Sequence, residues 1–143
     1  MEFDQKLAEL FADEDRARAM ARRLMELAQS NPAATVAEKP SVLAFLCGPM
    51  EAHMAYEETA LFPLLVERGL GPEVEVAQKH HAAIRAEVAS LRAATDAPGI
   101  ARAIFLAARM MLHHTNFEGD YIYPELNRSE WRDLMKQTVE KSG

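Results

Sequence analysis

Apolar residues recur along this chain at the three-and-four spacing of a helix, and no segment alternates strictly as a strand would. Four long segments carry such a stripe. The first, about residues 3–29, places Leu7, Leu10, Ala17, Met20, Ala21, Leu24 and Leu27 on one side. The second, about 40–69, does so with Val42, Leu46, Met50, Leu61 and Leu64. The third, about 73–94, has Ala77, Ile84, Val88, Leu91 and Thr95, and the fourth, about 99–127, has Ile100, Ile104, Ala107, Met111 and Ile122. Ser30-Asn31-Pro32, Gly69, Gly71-Pro72 and Asp96-Ala97-Pro98-Gly99 punctuate the segments, and Ser41 is the expected N-cap of the second. Asn127-Arg128-Ser129 precedes a short C-terminal helix, about 130–141, carrying Trp131. Amphipathic helices with mostly short connections bury their stripes against one another. The pattern predicts an all-α fold: an antiparallel up-down four-helix bundle with a short fifth helix. One domain covers 1–143, its core about 3–127.

Prolines complicate the second and fourth helices. Pro49, after Gly48, predicts a kink or a late helix start near 48–49, and Pro63 predicts a bend, because proline lacks the N–H of the helical ladder. Pro124 occupies the matching place in the fourth helix.

Composition narrows the class. Hydrophobic residues make up 49% of the 143 and charged residues 27%, an ordinary globular balance. No apolar run approaches a membrane span, and Met1-Glu2-Phe3-Asp4 does not open a signal peptide. A formal net charge of −6 argues against a nucleic-acid partner. Arg16, Arg18, Arg22 and Arg23 alternate with acids and alanines and read as a solvated helix face. The lone cysteine, Cys47, suits a reducing cytosol and has no nearby base to activate it. The expectation is a cytoplasmic protein with neither nucleic-acid nor membrane partner. Glycine-rich nucleotide loops, GxSxG and CxxC are all absent from the sequence. Eight methionines read as flexible core filling.

The chemistry lies in a repeat. His53-x3-Glu57-x3-Leu61-Phe62-Pro63 recurs 61 residues later as His114-x3-Glu118-x3-Ile122-Tyr123-Pro124. Residues four apart share a helix face. Projected at about 100° per residue, each His and Glu falls within about 40° of its apolar stripe's centre. A lone His or Glu on such a face is usually a satisfied core polar group. Two pairs in register on two helices are a stronger signal. Ionised carboxylates in an apolar core need compensation, and a metal pair held by imidazole and carboxylate supplies it. Phe62 and Tyr123 read as packing residues, while Tyr56 and Tyr121 are candidates to reach the site from outside.

Two further helices should contribute. On the third, His80 lies nearer the stripe centre, whereas His81 keeps the rhythm of Ile84, Val88 and Leu91. One of the two is expected to ligate, since neighbours diverge by about 100°. His113 points away from the core. The first helix has no histidine. It offers Asp13, Glu14 and Asp15, of which Glu14 falls inside the stripe, Asp13 at its edge and Asp15 on the far side.

These motifs resemble those of the hemerythrin-like family of HHE cation-binding domains, over about residues 5–127. The stretch Lys79-His80-His81-Ala82-Ala83-Ile84-Arg85 is similar to the family's third histidine segment, which favours His81. The resemblance implies two non-haem iron ions, with an oxo or hydroxo bridge, in an antiparallel bundle, Glu57 and Glu118 bridging them. Zinc and manganese suit the same donors. The family usually has a histidine in helix 1, where this chain offers Glu14 or its acidic neighbours. Oxygen-carrying members have two histidines a turn apart on helix 3, where Ala77 and Arg85 flank His81 here. The expected metal ligands are Glu14, His53, Glu57, His81, His114 and Glu118, with Glu14 and His53 at one metal and His81 and His114 at the other. The expected function is to bind or sense a small diatomic or peroxide ligand (oxygen, peroxide or nitric oxide) or to handle iron. A di-iron oxidase or peroxidase is the alternative, and a metal-free interaction module the third.

Overall fold

The structure, a computed structural model, describes residues 3–126, so the expected helix at 130–141 lies outside the described residues. It is helical throughout, with no strand among the described residues. Helix α1 spans Phe3–Ser30. A 3-10 turn, Pro32–Ala34, leads directly into α2, Thr35–Cys47. The second helix thus begins before the expected cap: Ser41 is an exposed residue inside α2, and Pro40 is carried within it.

The kink expected at 48–49 is present as a break. Gly48 closes α2, its N–H bonded to the Ala44 carbonyl, and a Cβ there would lie 2.8 Å from that same oxygen. Pro49 opens α3, Pro49–Tyr56, where its missing N–H costs nothing. The bend expected near Pro63 takes a more specific form. Glu57–Leu61 is a π turn, with the Phe62 N–H bonded to the Glu57 carbonyl five residues back. Helix α4 follows, Phe62–Glu67. A π turn uses one residue more than an α turn, so everything after it is displaced by one residue relative to α periodicity. Leu65, not the expected Leu64, is therefore the buried residue. Helix α5 is Gly71–Ala93. Asp96 caps α6, Ala97–Tyr121, accepting from the Gly99 N–H at 2.7 Å. A one-turn helix α7, Tyr123–Leu126, carries Pro124.

Helix α6 packs against α1, α5 and α2, and α1 also meets α3. The apolar side chains form two separate clusters. The larger includes Ala17, Leu24, Leu46, Met50, Ile84, Leu91, Ile104 and Met111. The smaller includes Leu7, Leu10, Leu61, Phe62, Leu65, Ala77, Ile122 and Leu126. Each fully buried aliphatic side chain contributes about 1.5–3 kcal/mol. Between the clusters, each helix in turn brings a polar residue to the interior: Glu14, then His53 and Glu57, then His81, then His114 and Glu118. No helix among the described residues is long and apolar enough to cross a membrane.

Ile104 is fully buried in the larger cluster, whereas Val36 is 43% exposed. Ile104→Ala should lower the unfolding free energy by about 2–5 kcal/mol in denaturant titrations, and Val36→Ala should change it by less than about 0.5 kcal/mol. Equal effects would show that the core lies elsewhere.

Candidate metal centre

The i, i+4 spacing of the repeat does what helix geometry requires. His53 on α3 and Glu57 at the head of the π turn face inward together, His53 Nε2 lying 3.3 Å from Glu57 Oε2. The other oxygen of Glu57 is 3.2 Å from His81 Nε2 of α5, so one carboxylate spans two histidines from different helices. On α6, His114 Nε2 is 3.0 Å from Glu118 Oε1, which is also 3.9 Å from His53 Nε2. Two groups of donors result, each with its ligand-type atoms within 4.8 Å of one another: Glu57, His81, His114 and Glu118, and Glu14, His53 and Glu118. All six residues are at most 1% exposed.

Among the acids of helix 1, Glu14 is the buried one. Asp13 is half-buried and Asp15 exposed. On α5, His81 is buried and His80 is partly exposed, and His113 is exposed as expected. The structure thus brings together the same six side chains that the stripes and the resemblance single out.

Each of the three buried imidazoles has a partner on its outward nitrogen. His53 Nδ1 lies 3.2 Å from Asp13 Oδ2, and His81 Nδ1 lies 2.7 Å from Glu58 Oε2. An Nδ1–H donated to a carboxylate leaves Nε2 as the lone-pair atom facing the centre, the tautomer a metal needs. His114 Nδ1 faces His80 Nδ1 at 3.1 Å. Glu58 is itself clamped by Arg85, whose Nη1 and Nη2 donate to its two oxygens at 2.8 and 3.0 Å. The same guanidinium donates to Glu51 through Nε and Nη2. Arg85 holds the Glu58 carboxyl below its ordinary range.

Several of these partners escape sequence reasoning. Asp13 appeared only as an edge candidate for ligation, and Glu58 and Arg85 had no assigned role. The Tyr123 hydroxyl does more than pack: it donates to Glu57 Oε2 at 2.9 Å and lies 3.1 Å from His53 Nε2. Tyr121, expected as a candidate to approach the site, is exposed. Phe62 packs as expected, its ring stacked on His81 at 5.4 Å. Glu58 and Gly119 occupy the same place in the two copies, but the copies differ equally at 54/115, 55/116, 56/117, 59/120 and 60/121, so the sequence carries no distinct signal for Glu58.

Burial dominates the electrostatics. It pushes the Glu14 carboxyl up to about 8, with Glu57 adding repulsion, and it pushes Glu118 well above the carboxylate range. It depresses His114 to about 3. For His53, burial is outweighed by the charge of Glu57 and by hydrogen bonding to Asp13, which raise it to about 12. Glu57 is correspondingly held well below its ordinary value, burial being overcome by His53 and His81. Even so, eight buried side-chain polar atoms among the described residues make no hydrogen bond, and seven belong to this cluster. They are both oxygens of Glu14 and of Glu118, Glu57 Oε1, His81 Nε2 and His114 Nε2. Four of them face one another at ion-pair distance without hydrogen-bonding geometry, His81 Nε2 with Glu57 Oε1 and His114 Nε2 with Glu118 Oε1, and a buried atom left with no partner at all costs roughly 1–3 kcal/mol. A cation with imidazole and carboxylate ligands satisfies all of them at once, so the donor set fits a metal.

A chain whose described residues are helical and that converges histidines and carboxylates on a buried centre has the architecture of a metal-binding helical protein. The hemerythrin HHE cation binding domain matches residues 5–103, and the chain belongs to that family. The match contains Glu14, His53, Glu57 and His81 and ends before His114 and Glu118, which rest on the repeat and on the geometry above. No curated protein and no solved structure matched the chain.

The metal-free protein should show the cost of Glu14 directly. A carboxyl raised from 4.5 to about 8 favours folding while it is protonated. Its contribution is complete below about pH 4.5 and is lost as pH rises through about 8. Denaturant midpoints of metal-free protein at about pH 5 and about pH 8 should therefore differ, and Glu14→Gln should shrink that difference. An unchanged difference would mean that Glu14 is not buried as described.

Proposed function

We propose that this chain is a cytoplasmic non-haem di-iron protein that binds or senses oxygen, peroxide or nitric oxide, or handles iron. The observation that carries it is the set of seven buried polar atoms without a hydrogen bond, on residues contributed by four helical stretches and facing one another at ligand spacing. The family is one of cation-binding domains. A metal-free interaction module would leave those atoms uncompensated, which weighs against that reading.

In this reading Glu14 and His53 hold one metal, His81 and His114 hold the other, and Glu57 and Glu118 bridge. The order in which the helices meet the two apolar clusters supports an antiparallel bundle. Helices α1 and α5 run from the smaller cluster to the larger, whereas the α3–α4 stretch and α6 run from the larger to the smaller. A bound iron pair supplies redox chemistry and exchangeable positions for a small ligand. The chain's own part is preorganisation. Asp13 and Glu58 keep the imidazole lone pairs pointed inward, Arg85 holds Glu58 in place, and Tyr123 donates to Glu57. Glu14 adds a negative charge that favours the ferric state and disfavours reversible oxygen carriage.

Protein loaded anaerobically with ferrous iron should hold two metals per chain, read by metal analysis and Mössbauer spectroscopy. Manganese should compete less well. His81→Ala should lose at least one metal and His80→Ala none. Glu58→Ala should weaken binding by about 10–100-fold. A chain that takes up no metal, or a full complement in His81→Ala, would sink the assignment.

A further inference from the structure

We propose that small uncharged molecules reach this centre through a cleft between α1 and α6, and that the absent side chain at Gly119 keeps the cleft open. The inference rests on the metal reading above and names the route to it.

The cleft is a cavity of about 290 Å³. Its rim includes Asp15 and Pro124, both exposed, with Arg18 partly exposed behind them. Its buried wall includes Glu14 and Tyr123. It therefore ends against the side chain of a cluster carboxylate, whose two oxygens lie behind it, out of contact with solvent. A larger cavity, about 570 Å³, borders Glu58, Phe62 and Val66 but includes none of the six cluster residues in its wall. Volume alone would favour the larger cavity; contact with the cluster favours the smaller.

The two sides are built differently at equivalent places in the repeat. Glu58 fills its side by bonding His81 and Arg85. Gly119 has no side chain, and a Cβ there would come within 2.9 Å of Arg18 Nη2. That nitrogen donates to the Thr115 carbonyl at 2.9 Å, which holds the guanidinium along α6. The exposed acid at its mouth, Asp15, is paired with Arg18 at 3.3 Å, so the mouth presents little net charge and suits small uncharged molecules.

The test measures nitric oxide binding to the ferrous-loaded protein by rapid mixing, with metal content determined on the same samples. Gly119→Leu fills the cleft with a better helix former than glycine, and Gly119→Ala displaces only the tip of Arg18. Val66→Trp fills the rival cavity. Binding should slow about tenfold or more in Gly119→Leu and less in Gly119→Ala, with iron content unchanged, while Val66→Trp matches the wild type. In metal-free protein, dissolved xenon should shift the ring resonances of Phe11 and Tyr123, and Gly119→Leu should abolish the shifts. An iron-replete Gly119→Leu that binds at the wild-type rate, or equal slowing in Val66→Trp, overturns the route while leaving the metal reading intact. A wild-type chain that holds no iron overturns that reading, and the route with it.

Discussion

Six ionisable side chains share one buried layer between two apolar clusters, and the rest of the molecule is arranged around the cost of that layer. In water each group would be solvated; in the interior the charges must pair, shift their protonation or meet a cation. Metal-free, the layer does all it can without an ion. Glu57 and His53 stay charged as a pair, Glu14 and Glu118 are driven towards neutrality, and His114 is driven neutral. Several atoms nonetheless remain unpaired. Interiors rarely tolerate such a concentration without a function. Outside the layer, Asp13 and Glu58 fix two of the imidazoles, and Arg85 holds Glu58 while also tying α5 to α3 through Glu51.

The two copies of the His–Glu motif are alike in their inward residues and unlike in what surrounds them. The first copy runs into a π turn and is braced by Glu58. The second stays α-helical to Tyr121, turns at Ile122, and has glycine where the first has Glu58. A near-symmetric motif is thereby made into an asymmetric site with one braced side and one open side. Asymmetry of this kind lets two similar positions differ in their surroundings while keeping the same inward chemistry.

The inward faces were readable from the sequence because helix periodicity and the i, i+4 rule are local. His53, Glu57, His114 and Glu118 are set by their own helices, and Glu14 needed only the phase of α1. The choice of His81 over His80 drew on the family resemblance as well as on phase, and the structure buries His81 and turns His80 onto the back of His114. What periodicity could not show was side-chain reach between helices. Nothing local says that Glu58 extends to His81, or that the Tyr123 hydroxyl arrives between His53 and Glu57. Such contacts depend on how far apart the helices sit. The early start of α2 was missed for a different reason: Pro40 and Ser41 carry a helix-start signal that the preceding 3-10 turn overrides.

The π turn at Glu57–Leu61 bears on how the chain compares with others of its kind. It winds one surplus residue into the helix without turning the downstream side chains off their face, so Leu61, Phe62 and Leu65 still reach the smaller cluster. A relative whose corresponding segment is plain α-helix would need one residue fewer there. Its alignment with this chain would carry a single-residue gap between Glu57 and Leu65. Forced into an ungapped alignment, every position after the turn would be matched to a residue from the wrong face. Length variation of one residue at this point is thus structurally silent, whereas the same change in the middle of α5 would rotate half a helix out of the core.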